Sequence, residues 1–363
     1  MRSHWANCIA NFDTNVEAFA ADYFGDASKR VLLIAAAGFD PRSRRVTEML
    51  SAALGDRLSA IFIREDRPAP STALVERADK NEEVLKKLVP DSTTVWVEIF
   101  ADDGAPVGGA RIVSHLEKYA VPEDVTDVVL DFSALSLGIS FPAAKMLLED
   151  CEAATNRAFH LMIVSNPELD DKITCVHSSR PSMARGFAPP AEDENLDVAQ
   201  VWIPQLAHGS AASLTQIGIT VGRCYKICPL LPFPARNPRR ADDLITEYGV
   251  ALREWDVDPR DVLYGSERNP LDCYRTLSML KSRFDRTMMG TYTPRAVLSP
   301  IGSKVLAAGA LMAAIEHAMA VCYLEVESYE LDDAPDGVSG PPDMAVHLVL
   351  CGPLYDSYEK AAV

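Results

Sequence analysis

No stretch of the 363-residue sequence stays apolar for the ~18 residues that a membrane span needs. The longest candidate, 305–314, is short and ends in Glu316-His317. Basic residues are few: 35 Lys and Arg against 52 Asp and Glu give a net charge of −17. Such a field repels duplex nucleic acid and anionic membrane over most of a surface. Several chemical signatures are missing as well. The first strand ends in Ala35-Ala36-Ala37-Gly38, with one glycine where the usual dinucleotide fingerprint needs three. No G-x-S-x-G elbow supports a hydrolase triad of that type. Among seven histidines there is no H-E-x-x-H, and Cys224 and Cys228 stand in a strand without partner ligands, so no metal site is expected. No cofactor is expected either. The first residues carry acids and lack the basic-then-apolar layout of a signal peptide. The eight cysteines are scattered, several inside apolar patterns where free Cys acts as a small core residue. A reducing, cytoplasmic compartment is the expectation.

What is present is an ordinary globular composition, 48% apolar and 24% charged, in a chain long enough for two domains. Residues 1–29 read as a lead-in with one amphipathic helix, because Val16, Phe19, Ala20 and Tyr23 recur at helical spacing. From residue 30 apolar strands and amphipathic helices alternate without interruption: strands over 31–37, 58–63, 94–100, 125–130 and 158–164, with helices between. That alternation predicts right-handed crossovers of a parallel sheet covered on both faces. After a Ser, Pro and acid-rich stretch at 171–199, read as a linker or lid, it resumes with strands over 200–203, 225–231, 261–264, 295–298 and 320–326. The predicted fold class is α/β: two doubly wound, Rossmann-like lobes, 30–170 and 200–363, with 344–350 as an added edge strand of the second.

The lobes read as a diverged internal duplication, a tandem repeat. Phe39 and Arg42, beyond the first strand, correspond to Phe233 and Arg236 in Tyr225–Arg240. In each lobe an apolar strand, a serine-bearing loop, an apolar helix and another strand run into Glu-Leu-Asp, at 168–170 and 330–332. The second lobe is shorter by about 30 residues, the size of one strand–helix unit, so a counterpart of 94–119 is expected to be missing.

Ligands of an open parallel sheet sit at the carboxyl ends of its strands, where helix N-termini present unpaired N–H groups. Gly38, Asp40, Arg42 and Arg45 lie at such an end, as do Arg236 and Arg240. Helix first turns ordinarily favour acids, so recurring arginines point to a bound anion, whereas Asp40 also suits a cap of its helix. Ser299-Pro-Ile-Gly302-Ser303-Lys304 offers hydroxyls, a close backbone approach and an ammonium, fit for a phosphate or for a tight turn capped by Ser303. In Asp131-Phe132-Ser133 the carboxylate either receives a ribose hydroxyl or base amine or ties down its own loop. Glu267, Asp131 and Asp40 are the candidate catalytic carboxylates.

An acidic body with basic strand ends fits a protein that binds or senses a phosphate-bearing small molecule, a nucleotide, held between the lobes. The tandem of two α/β lobes resembles the fused nucleotide-sensor domains of bacterial antiviral systems, which implies a cyclic oligonucleotide signal and a place in antiviral defence. An enzyme acting on a phosphorylated or nucleoside substrate is the alternative. A second alternative is an interaction subunit attached through the polar loops 65–75 and 333–343.

Overall fold

The structure is a computed structural model and describes residues 4–5, 8–154, 156–189, 197–331 and 343–356. Of the stretch 171–199 expected as a linker or lid, 190–196 falls outside these residues, as does the loop 333–343 apart from Asp343. The chain forms two units. Residues Asn7–Val176 and Val326–Val363 make a host unit, and His177–Glu325 is inserted into it. Trp5 goes with the insertion, its N–H donating to the Tyr274 hydroxyl at 3.0 Å. The boundaries therefore differ from those expected at 170 and 200: the host closes on itself with residues from the far end of the chain.

In chain order the host strands are β1 (Ile9–Phe12), β2 (Val31–Ala36), β3 (Leu58–Asp66), β4 (Ser92–Glu98), β5 (Asp127–Asp131), β6 (Ala158–Ser165) and β7 (Ile173–His177). The insertion contributes β8 (Ser182–Met183), β9 (Val198–Pro204), β10 (Lys226–Ile227), β11 (Leu230–Pro232), β12 (Leu263–Gly265), β13 (Thr293–Ser299) and β14 (Ala320–Tyr323). β15 (Val326–Leu331) and β16 (Met344–Cys351) return to the host.

The host sheet runs β1-β16-β6-β5-β2-β3-β4. β2 through β6 are parallel, and β16 is antiparallel to both β6 and β1. Burial accounts for the strand sequences. β2, β5 and β6 are buried throughout, so apolar residues dominate them without alternation, with Asp127, Asp131, His160 and Ser165 as the buried polar members. β4, at the edge, has a single buried residue, Val97, among exposed and half-buried ones, and Trp96 is 56% exposed. One core packs Leu33, Ala35, Phe62, Val129 and Met162 against Val46, Leu50 and Leu54 of the helix Arg45–Leu54. The lead-in contains the expected helix, Thr14–Phe19, which buries Val16. It also holds β1, which periodicity did not reveal because a four-residue strand shows little pattern. Likewise β16 pairs with β6 of the host rather than with a strand of the second lobe.

The two added strands are joined to the parallel sheet by a buried polar chain. His160 Nε2 lies 2.9 Å from Asp127 Oδ1, His160 Nδ1 lies 2.9 Å from His347 Nε2, and His347 Nδ1 lies 3.1 Å from Asn11 Nδ2. With Asp127 ionised as the terminal acceptor, the donors run one way, from Asn11 through the histidines to the carboxylate. Tyr23 adds its hydroxyl to Asp127 at 2.8 Å, and Lys29 donates to Tyr23 at 2.7 Å. Every strand from β1 to β5 across this side of the sheet contributes a partner, which fixes register over a sequence gap of more than 300 residues.

The insertion has its own sheet, β10-β9-β13-β14-β8, with β11 and β12 paired beside it. A parallel bridge from Gln205 to Leu230 links β9 to β11. Its second strand is thus β10 and β11 together, broken at Pro229, which has no N–H to give the ladder. The parallel order is then third, second, first, fourth, fifth, as in the host. Two consequences follow for the expected duplication. β12 and the helix Pro270–Met288 supply a third strand–helix unit, so none is missing. Phe233 and Arg236 follow a second strand, whereas Phe39 and Arg42 follow a first, so these stretches do not occupy equivalent strand ends.

Burial pushes the His347 pKa well below the usual 6.5, with neighbouring His160 adding to the effect. The unfolded chain therefore takes up a proton that the folded host refuses, and stability falls as pH drops through the unfolded value. Going from about pH 7.5 to about pH 5.5 should cost about 1.4 kcal/mol from this residue. Urea unfolding at the two pH values measures it. His347→Asn should remove most of the difference, and an unchanged difference in that variant would assign it elsewhere.

Candidate functional site

The strand order reverses in the host between β2 and β5, the place where doubly wound sheets leave a crevice. Two loops meet there. The first leaves β2 through Ala37, Gly38 and Phe39 to Asp40, whose carboxylate accepts the Arg42 N–H at 2.9 Å and caps the turn Pro41–Arg44. A Cβ added at Gly38 would meet nothing within 4 Å, so the space above this strand end is open. The Gly38 carbonyl accepts from Asn81 at 2.8 Å.

Arg42 does not extend into that space. Its guanidinium turns back onto Asp40, with Nη2 2.7 Å from Oδ2, and reaches Asp170 Oδ1 at 2.6 Å beyond the end of β6. The side chain is 3% exposed. Burial works against the cation, but Asp40 first and Asp170 second outweigh it and raise its pKa. The anion clamp expected of Arg42 is thus occupied by the protein's own carboxylates. Arg45 is more than half exposed, with Glu48 at 3.7 Å and Asp343 at 3.9 Å.

The second loop leaves β5 at Asp131. Its Oδ1 accepts the Ser133 N–H at 3.0 Å and the Ser133 hydroxyl, the loop-tying role. Ser133 Oγ in turn accepts the Val164 N–H at 2.8 Å, fastening the loop to β6. Asp131 Oδ2, however, is buried without a hydrogen-bond partner among the described residues. Burial chiefly, with Asp40 nearby, pushes this carboxyl up to about 7 against the opposing effects of Ser133 and Arg42. Near neutral pH it is therefore partly protonated, able to donate as well as accept.

Ser136 ends this loop and stands at the N-cap of the helix Leu137–Ala153, yet its side chain makes no capping hydrogen bond. Its hydroxyl is buried and has no hydrogen-bond partner among the described residues. The Ser136 N–H is taken by Glu65 Oε1 at 2.8 Å, from the end of β3. The other Glu65 oxygen holds Arg67 at 2.5 Å, and the Arg67 guanidinium lies 5.0 Å from the Tyr329 ring centre. Tyr329, on β15, also lies 5.4 Å from Phe39. The chain's return to the host thus packs beside the first loop.

Glu65, Ser136 and Asp170 were not among the residues singled out from sequence. An acid at the end of the second strand of such a fold commonly meets a ribose hydroxyl, and Glu65 stands at the end of β3, the second parallel strand of the host. That signal was readable in Arg64-Glu65-Asp66-Arg67.

The insertion places its candidates differently. Ser299 is fully buried and accepts from Trp202 Nε1 at 3.0 Å. Ser303 caps the helix Lys304–Glu316. Gly302 has φ +87°, and a Cβ there would come 2.5 Å from the Ala207 Cβ, so close packing within the unit requires this glycine. Gln205 Nε2 holds the Ile301 carbonyl at 2.6 Å. The loop 299–304 is thereby pinned over the end of β9, as a tight turn. Glu267 is buried and accepts the Arg236 N–H at 2.9 Å, so it joins two loops. Arg236 itself is exposed, and Arg240 opens the helix Arg240–Glu247. The structure therefore brings Gly38, Asp40, Arg42, Asp131 and Ser133 to one strand edge of the host, and Ser299, Gly302, Ser303 and Lys304 to one loop of the insertion. Among the described residues no cluster of His, Cys, Asp and Glu could hold a metal ion, and no helix is long and apolar enough to cross a membrane.

The fold and this edge define a mixed α/β protein with a Rossmann-like, largely parallel sheet. No family model and no curated protein matches the sequence. Parts of the chain align with solved structures. One, described as an rRNA methylase, comes from Clostridium thermocellum: 13% identical, covering 41% of this chain and 68% of that one, with TM-score 0.22. The human methyltransferase 10 domain containing protein is 13% identical over 46% and 76%, TM-score 0.24. The NH3-dependent NAD synthetase of Campylobacter jejuni, in complex with a nitrate ion, is 15% identical over 40% and 54%, TM-score 0.21. The fold is defined by the strand order of the host sheet.

Breaking a buried ion pair on one side leaves the other charge stranded. Arg42→Met should destabilise the host by about 3 kcal/mol, while Arg236→Ala should stay within about 0.5 kcal/mol. Urea unfolding of the two variants compares them directly, and equal effects would contradict the structural role of Arg42.

Proposed function

We propose that the host unit binds a small molecule of the nucleoside class, free or as part of a nucleotide, through its ribose and base at the β2–β5 strand ends. The observation that carries this reading is the pair of buried side-chain oxygens, Asp131 Oδ2 and Ser136 Oγ, that have no partner among the described residues where the strand order reverses. Buried polar atoms are nearly always hydrogen-bonded, so two orphans at a ligand-prone edge mark groups that a ligand completes. Glu65 supplies an acceptor for ribose hydroxyls. The open position at Gly38 admits the ligand against the backbone, and Asp131, able to give or take a proton, meets a hydroxyl or a base amine. The hydrophobic walls come from Phe39 and Tyr329.

The carboxyl shift to about 7 favours one second reading, in which Asp131 acts as general acid or base on the bound nucleoside. Turnover that disappears in Asp131→Asn while affinity is retained would select it over simple binding.

Titration calorimetry with nucleosides, nucleotides and cyclic dinucleotides tests the binding site. At least one compound should bind. Glu65→Gln and Ser136→Ala should each weaken it about tenfold, the worth of one hydrogen bond to a charged or buried group. Binding that neither substitution alters would place the site elsewhere.

A further inference from the structure

We infer that the host site takes a nucleoside whose bound end is uncharged or cationic, and that it discriminates against phosphorylated forms. This rests on the nucleoside reading above and names the ligand class of that same site.

The first ground is the state of the cations at the edge. A phosphate site needs positive groups and N–H donors free to point at it. Arg42 is closed by Asp40 and Asp170, Arg67 by Glu65, and Arg64 by Asp79 and Glu82. Arg45 has Glu48 and Asp343, and Arg44 turns its Nε to Asn81 Oδ1. The second ground is the helix Leu137–Ala153. Its N-terminus would be the natural anion seat, but the Glu65 carboxylate already sits on the Ser136 N–H. A phosphate seated on this helix N-terminus would meet that carboxylate.

The third ground is the chemistry of the unpartnered atoms. They are a hydroxyl and a carboxyl oxygen: the carboxyl, in its ionised form, accepts from hydroxyl and amine groups and repels an oxyanion, while the hydroxyl suits either. The wider field acts in the same sense. The inserted segment His177–Glu325 holds as many basic as acidic residues, so the whole net charge of −17 belongs to the rest of the chain, chiefly the host.

The test uses the full chain and three sets of probes: the four ribonucleosides, their 5′-monophosphates and their 5′-amino-5′-deoxy analogues, each titrated by calorimetry at about 20 mM and about 500 mM salt. At the lower salt the monophosphate should bind at least about tenfold more weakly than its nucleoside, the amino analogue as tightly or more tightly, and the gaps should narrow at the higher salt as charges are screened. Glu65→Gln should narrow the gap between nucleoside and monophosphate, and a gap unchanged in that variant would overturn the inference. A monophosphate that binds as well as its nucleoside would also overturn it while leaving the nucleoside reading in place. If none of the probes binds, the nucleoside reading fails and the inference falls with it.

Discussion

An arginine buried between two carboxylates has no inexpensive alternative state, because withdrawing either partner strands a charge away from water. Arg42 is held in this way by Asp40 and Asp170, and the functional edge of the host is arranged around it. The bridge ties the loop after β2 to the turn after β6, passing the end of β5 that lies between them in the sheet. Asp131 sits at that end, deprived of water, and its carboxyl rises towards neutrality. The first loop is fixed, Gly38 faces open space, and the unpartnered oxygens of Asp131 and Ser136 are held where a ligand could satisfy them.

The two units share an order of parallel strands but treat the reversal point differently. In the insertion the loop after β13 folds over the end of β9, held by Gln205 and by the contact of Gly302 with Ala207. In the host the equivalent loop, after β5, is drawn instead towards β6 by Ser133 and towards β3 by Glu65. The difference comes down to which neighbour each loop bonds to, and it is why the ligand reading is assigned to one unit alone.

Much of the fold was legible in the sequence. Buried parallel strands are mostly apolar, and the apolar stretches of β2, β5, β6 and β13 placed each strand to within two residues of its observed limits. The Asp40 cap and the Asp131 loop tie were legible too, because both are interactions across two residues. What could not be read was pairing at long range. β1 meets β16 across most of the chain, and Arg42 meets Asp170 across 128 residues. A local pattern carries no record of either. The resemblance between Phe39–Arg42 and Phe233–Arg236 misled for a related reason: short stretches of similar composition occur at the ends of different strands, and only the sheet order shows which ends are equivalent. Arginines near a strand end advertise an anion only until their partners are known.

The central claim is that the β2–β5 edge of the host is where a ligand completes the structure. Hydrogen–deuterium exchange with and without a saturating nucleoside tests it most directly, since amides at 37–40 and 133–139 flank the unpartnered oxygens. The account predicts slowed exchange in both segments, with 299–306 of the insertion unchanged. Protection confined to 299–306, with no change at the host edge, would contradict it.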